Sequence, residues 1–296
     1  MRGENEMMEL ILGIAENDER VRAVYMNGSR ANPAVPRDIY QDYDIVFAVT
    51  GTQSFLEDPG WISQFGTPLI VQEPDKNDTY FNYGQEPEPF DFSRRYTWLM
   101  LFNDGTRIDL RIETLEESEK NFLSESLTVL LLDKDNRMPQ LPPPSDKDYH
   151  IQKPDEPRFH ACCNNFWWCL NNAAKGIARD ELPYAMIMFH GTVRTDLHTM
   201  MDWYTGTLRG FSVSTGKDGK FYKKLLPPEL YLMYTQTFSG SGYEQFWDAL
   251  DTMCGLFHIL AEGVSRYFGF SYHQDEEDGM REYIRMVKDL SRGEPE

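Results

Sequence analysis

Six of the chain's 17 prolines fall within residues 139–157, which read PQLPPPSDKDYHIQKPDEP. Proline fixes φ and carries no amide donor, so this segment cannot be helix interior or central strand. It is the natural boundary in a chain of 296 residues, longer than one ordinary domain of about 100–200 residues. The expected organisation is a first domain at 1–138, a Pro-rich linker at 139–157, and a second domain at 158–296.

The two halves carry different periodicities. Before the linker, Glu4 to Asn17 places Met7, Leu10, Ile11, Ile14 and Ala15 at helical spacing. Val21 to Asn27 and Asp42 to Val49 read as strands. Arg94 to Phe102 and Arg107 to Glu113 read as two more, joined through Asp104-Gly105, a hairpin signal. Ser118 to Leu132 reads as a helix. After the linker the strand signals fade. Phe159, Cys162, Phe166, Cys169, Ala173 and Ile177 recur at one helix face within Phe159 to Leu182. Tyr184 to Leu208, Glu229 to Phe238, Tyr243 to Phe268 and Gly279 to Leu290 continue the helical character, with Asp275 to Asp278 read as a solvated loop. The fold class is α/β or α+β in the first half and an all-α helical bundle in the second.

Composition narrows the function. Apolar residues make up 41% of the chain, enough for a large core, which excludes wholesale disorder. No apolar run reaches the length of a membrane span, and MRGENEMMEL lacks a secretory apolar region, so a cytoplasmic, membrane-free protein is expected. Cys162, Cys163, Cys169 and Cys254 lack the spacing of a disulfide framework. The net charge is −19, and residues 1–150 hold 28 acidic against 14 basic side chains. Such a field repels phosphate backbones and attracts cations, so no nucleic-acid partner is expected. Zinc-ligand, Walker A, dinucleotide and nucleophile-elbow patterns do not occur.

The informative pattern is acidic. The first strand ends at Gly28-Ser29-Arg30, and twelve residues after Arg30 comes Asp42-Tyr43-Asp44, opening the second strand. Side chains alternate along a strand, so Asp42 and Asp44 share a face and repel unless a cation sits between them. Mg²⁺ takes such oxygen ligands together with substrate phosphates. A Gly-Ser turn offers amides and a hydroxyl to phosphate oxygens. In RIDLRIE (107–113), Asp109 faces away from Ile108, Leu110 and Ile112. Placed beside the Asp-Tyr-Asp strand, it would complete a three-carboxylate site for metal-assisted phosphoryl displacement. Each piece alone is commonplace: a solvated strand edge, an ion-pair face, an ordinary turn. Their order along the chain is specific.

That ordered pattern resembles the nucleotidyltransferase superfamily that includes DNA polymerase β, and within it the aminoglycoside 6-adenylyltransferases, which modify streptomycin. The matching segments are NDERVR (17–22), GSR (28–30), QDYDI (41–45), DGTRIDL (104–110), LLDKD (131–135), CCNNFW (162–167), KGIARDE (175–181) and GKDGKFYKKLL (216–226). Thr52 to Arg94 has no assigned counterpart.

The resemblance implies a polymerase β-like mixed-sheet nucleotidyltransferase domain at 1–138 and a helical nucleotide- and substrate-binding domain at 158–296. It implies transfer of AMP from Mg-ATP to an aminoglycoside hydroxyl, with release of pyrophosphate. Asp42, Asp44 and Asp109 would hold the metal, and Asp109 would act as general base, a role worth roughly 10²–10⁴-fold. Gly28, Ser29 and Arg30 would meet the nucleotide. Lys175 and Arg179, four apart on a helix, and Lys217 and Lys220, in the densest basic run, would meet its phosphates. A polycationic acceptor would sit between the domains, against Trp98, Asp196, His198 and Asp202. Two other readings use the same residues: a nucleotidyltransferase acting on another small-molecule or protein hydroxyl, and a catalytically silent nucleotide sensor. Retention of three clustered carboxylates, which cost stability when unliganded, speaks against the sensor.

Overall fold

The computed structural model describes residues 1–77 and 91–293 and divides the chain into two units, Met1–Asp148 and Tyr149–Glu296. In the first unit, α1 (Glu4–Asn17) leads into β1 (Val21–Asn27), a short 3₁₀ turn at Gly28–Arg30, and β2 (Tyr43–Val49). There follow α2 (Gln53–Leu56), β3 (Pro68–Gln72), α3 (Pro74–Asn77), β4 (Arg95–Phe102), β5 (Arg107–Thr114), α4 (Leu115–Asn121) and β6 (Thr128–Asp133). The strands form one mixed sheet of order β3-β4-β5-β2-β1-β6. Among the described residues only β2 and β5 run parallel; the other four pairs are antiparallel.

Alternation decides what each face of this sheet does. Met26, Ile45, Phe47, Trp98, Met100, Ile108, Leu110 and Ile112 share one core with Met7, Ile11 and Ala15 of α1. The helix is thereby fixed to the sheet by its apolar stripe, and Ile11→Ala would cost about 2–5 kcal/mol. The opposite face carries a smaller cluster of Ala23, Tyr25, Val46 and Ala48 under Phe122 and Met138. That cover reaches only part of the face, and the polar residues of the candidate site occupy the rest.

Two expectations for this half change. The helix expected over Ser118 to Leu132 is instead α4 followed by β6, which pairs antiparallel with β1 from Ala23 opposite Asp133 to Asn27 opposite Thr128. Thr114 caps α4 by accepting from the Glu117 amide. Beyond the Ser124–Ser126 break, Leu130 and its neighbours complete a sheet edge, and tertiary pairing overrides their helical propensity. The unassigned stretch after Thr52 supplies the other edge, β3.

The second unit is helical: α5 (Glu156–Ala178), α6 (Leu182–Ile187), α7 (Arg194–Arg209), α8 (Tyr222–Leu225), α9 (Pro228–Gln236), α10 (Tyr243–Phe268) and α11 (Gln274–Gly293). Asp155 caps α5 by accepting from the Arg158 amide at 2.9 Å, with Pro157 in the first turn. Phe166 of α5 stacks on Phe257 of α10, ring centroids 3.6 Å apart, at the centre of the unit's core. The helix expected over Tyr184 to Leu208 is interrupted by a π-helical turn at Met188–Val193. The expected loop at Asp275 to Asp278 is the first turn of α11 instead. Glu277 there is only 3% exposed and bonds the His258 ring, the Tyr272 hydroxyl and Arg281. All four cysteines are free and buried. Among the described residues no helix is long and apolar enough to cross a membrane.

Candidate active site

The parallel pairing of β2 with β5 sets Asp44 directly opposite Asp109, on strands about 4.8 Å apart. Asp42 lies one residue before β2 and, two positions from Asp44, on the same side. Arg107 links the cluster: its Nε and Nη2 donate to Asp109 at 2.7 and 2.8 Å, and its Nη1 stands 3.3 Å from Asp42 Oδ2. Burial, then the charges of Asp109 and Asp42, push the Asp44 carboxyl up to about 6. Burial raises Asp42 too, partly offset by Arg107. The Arg107 guanidinium is in turn raised by its hydrogen bonds to Asp109.

Gly28 closes one side of the cluster. Its φ of +74° and the 2.2 Å that would separate an added Cβ from Asp44 Oδ2 both require glycine here. The same face forms a cleft of about 310 Å³ lined by Asn27, Gly28, Asp44, Val46, Thr97, Asp109, Arg111 and Glu125. Asn27, Thr97, Arg111 and Glu125 were not anticipated. Strand parity reveals three of them, since Asn27 pairs with Asp44 and Thr97 with Arg111. Glu125 comes from the break between α4 and β6, which carries no such signal.

Two first-half candidates lie away from this cleft. Arg30 does not line the cleft: it is 5% exposed, donates to the carbonyls of Gln41 and Asp42, and stacks 3.8 Å over Tyr43 on the core side. It orders the backbone leading into β2. Trp98 lies on the face opposite Asp109. It pairs with Leu110, is 6% exposed, and packs against Trp61 and Tyr96 in the core. Ser29 stays at the turn, its carbonyl accepting from the Asn32 amide at 3.3 Å.

The remaining anticipated residues lie in the second unit. Lys175 is half-buried in the last turn of α5, whereas Arg179 is the exposed cap beyond it, its amide donating to the Lys175 carbonyl. Lys217 and Lys220 are exposed on a loop where Gly216, Asp218 and Gly219 all take positive φ. Tyr222 of α8 meets α7: its hydroxyl donates to Asp202 Oδ1 at 2.7 Å and lies 3.1 Å from the His198 carbonyl, and the His198 ring meets the Tyr234 hydroxyl at 2.9 Å. Asp196 points elsewhere, accepting from Asn165 of α5 at 2.7 Å. The structure thus brings His198 and Asp202 together and separates Asp196 from both. Burial raises Asp196 and Asp202 and lowers His198.

Among the described residues no three His, Cys, Asp or Glu side chains already converge as a ligand set, and Arg107 engages two of the three aspartates. The donors themselves are hard carboxylate oxygens, and Asp44 is driven toward its protonated form by burial and then by the charges of Asp109 and Asp42. Such a set fits a hard divalent cation, which relieves the repulsion that protonation otherwise relieves.

An acidic, oxygen-lined cleft beside a tight Gly-Ser turn on a mixed sheet is the kind of site that serves phosphoryl transfer. A family model described as streptomycin adenylyltransferase matches residues 1–287, and the chain belongs to that family. It is similar to an aminoglycoside 6-adenylyltransferase of Campylobacter jejuni, 35% identical over 288 residues and covering 97% of each chain. It is likewise similar to those of Bacillus subtilis (strain 168), at 34% over 97% of this chain and 98% of the relative, and of Staphylococcus aureus, at 32% over 96% and 98%. A crystal structure of an aminoglycoside 6-adenyltransferase from Bacillus subtilis matches at 31% identity, 97% of this chain and 99% of that one, with a TM-score of 0.47.

Proposed function

We propose that this protein transfers AMP from ATP to a hydroxyl of an aminoglycoside, streptomycin at its 6-position, and so inactivates the drug. The observation that carries the reading is the in-register pairing of Asp44 with Asp109 in a chain of this family. Residues 1–138 would form the polymerase β-like nucleotidyltransferase domain, 139–157 the linker, and 158–296 the helical nucleotide- and substrate-binding domain.

In the reaction, the Asp109 carboxylate takes the proton of the acceptor hydroxyl. The hydroxyl oxygen forms a bond to the α-phosphorus while the bond from that phosphorus to the bridging oxygen breaks, and the electron pair leaves with pyrophosphate. Mg²⁺ held by Asp42, Asp44 and Asp109 would neutralise charge building on the phosphate oxygens. The Gly28–Ser29 turn sets the phosphates against the carboxylates, and most of the rate comes from this alignment. Lys175, Arg179, Lys217 and Lys220 are the second unit's candidates for the triphosphate. Asp196, half-buried and held by one neutral amide, is its best candidate for an acceptor ammonium group. The acidic surplus of the first 150 residues suits a polycation, and a reaction that consumes ATP suits the cytoplasm.

Incubation with ATP, Mg²⁺ and a panel of aminoglycosides, read by pyrophosphate release and by mass, tests the proposal. An AMP adduct on streptomycin is expected. Absence of an adduct on every aminoglycoside, with ATP still bound, would overturn it.

A further inference from the structure

We propose that Arg111 contacts the phosphate chain of the nucleotide and that the buried Glu113 is the positioning residue that aims it. This inference rests on the adenylyl-transfer reading of the same cleft.

Strand β5 sends Arg107, Asp109, Arg111 and Glu113 to one face, so charges alternate along the floor of the site. The two arginines are used differently. Arg107 is engaged by Asp109 and Asp42. Arg111 lines the cleft with Gly28, Asp44 and Asp109, and among the described residues its buried Nε has no hydrogen-bond partner. Its anchor is Glu113, whose Oε2 lies 3.5 Å from that Nε.

Glu113 is fully buried and is already bonded by two neutral donors, the Tyr25 hydroxyl and Asn121 Nδ2 at 3.0 Å. The carboxylate is therefore held in place without Arg111, and it fixes the base of a guanidinium that also meets the Tyr25 hydroxyl and lines the cleft. A fixed cation beside the catalytic carboxylates opposes a polycationic acceptor. It suits an anion.

Spacing identifies which anion. Residues two apart on a strand are separated by about 6.6 Å. A hydroxyl held at Asp109 attacks phosphorus from roughly 3–3.5 Å. The non-bridging oxygens of the α-phosphoryl group then fall between Asp109 and Arg111, where a guanidinium fork matches two oxygens at once.

The competing account is that Arg111 only neutralises Glu113, and a double substitution separates the two. ATP affinity in Mg²⁺ buffer without acceptor, adenylyl transfer and thermal stability are measured for wild type, Arg111→Met, Arg111→Lys and Arg111→Met/Glu113→Gln. Arg111→Met should lose stability and bind ATP roughly ten- to a hundredfold more weakly. The double variant should recover the stability and keep the weak ATP binding, and Arg111→Lys should recover part of the affinity. A double variant that binds ATP like wild type would overturn the inference. Wild type that binds ATP but adenylylates no aminoglycoside would overturn the function while leaving this comparison standing, and wild type that binds no ATP would overturn both.

Discussion

Gly28 and Asp44 stand so close that a methyl group on the glycine would lie 2.2 Å from the carboxylate oxygen Oδ2. The contact ties the turn after β1 to the carboxylate at the head of β2. Gly28→Ala must therefore move the carboxylate as well as hold a left-handed φ, itself a cost of about 1–2 kcal/mol. Displacing a reacting group by about 1 Å can cost 100-fold. Adenylyl transfer should fall by at least that factor in a variant that keeps its circular dichroism spectrum, and an unchanged kcat/KM would mean the turn plays no part in the site.

The charge on Asp44 works against the metal-free fold. Its folded-state value of about 6 lies above the ordinary carboxylate value of 3.8. Its contribution to stability is therefore complete below the unfolded value and is lost as pH rises through about 6. In EDTA, Asp44→Asn should be more stable than wild type at pH 7.5 by roughly 2 kcal/mol, with no advantage at pH 4. Mg²⁺ should stabilise wild type at pH 7.5 and not the variant. Urea unfolding across pH reads both effects, and a wild type no less stable than the variant at pH 7.5 would refute the assignment.

Arg30 predicts a structural phenotype. Removing it strips donors from the Gln41 and Asp42 carbonyls and leaves Tyr43 without its stacked cation. Arg30→Ala should lose about 2–4 kcal/mol by urea unfolding. Arg30→Lys should recover only part, because an ammonium cannot reproduce the planar fork. Activity should fall more than stability explains, since Asp42 is the residue released.

Trp98 separates core from site. Trp98→Phe should lower stability by about 1–3 kcal/mol through incomplete filling of the space beside Trp61 and Tyr96. The KM for the acceptor should not move. A rise in that KM with unchanged stability would return Trp98 to the substrate pocket.

Much of this arrangement is written locally. Helix α1, strand β1 and helix α10 begin and end where apolar spacing places their limits, because each is a long periodic segment with one buried face. The three aspartates are legible because strand parity fixes a face wherever the other face is core. What escapes is decided by partners distant in sequence. Thr128 to Asp133 has no local reason to be a strand until β1 lies alongside. Glu277 looks like a solvated acid until His258, nineteen positions earlier, meets it. The chemical type of Trp98 suits a sugar-stacking role; the hairpin register that pairs it with Leu110 shows it facing the core.

The single parallel ladder has a kinetic consequence. Asp44 and Asp109 are 65 positions apart, and parallel strands cannot be joined by a tight turn. Closing that long loop carries an entropic cost that is recovered only once β5 docks beside β2. A nascent chain still emerging from the ribosome thus cannot bring Asp44 and Asp109 together until its fifth strand is free.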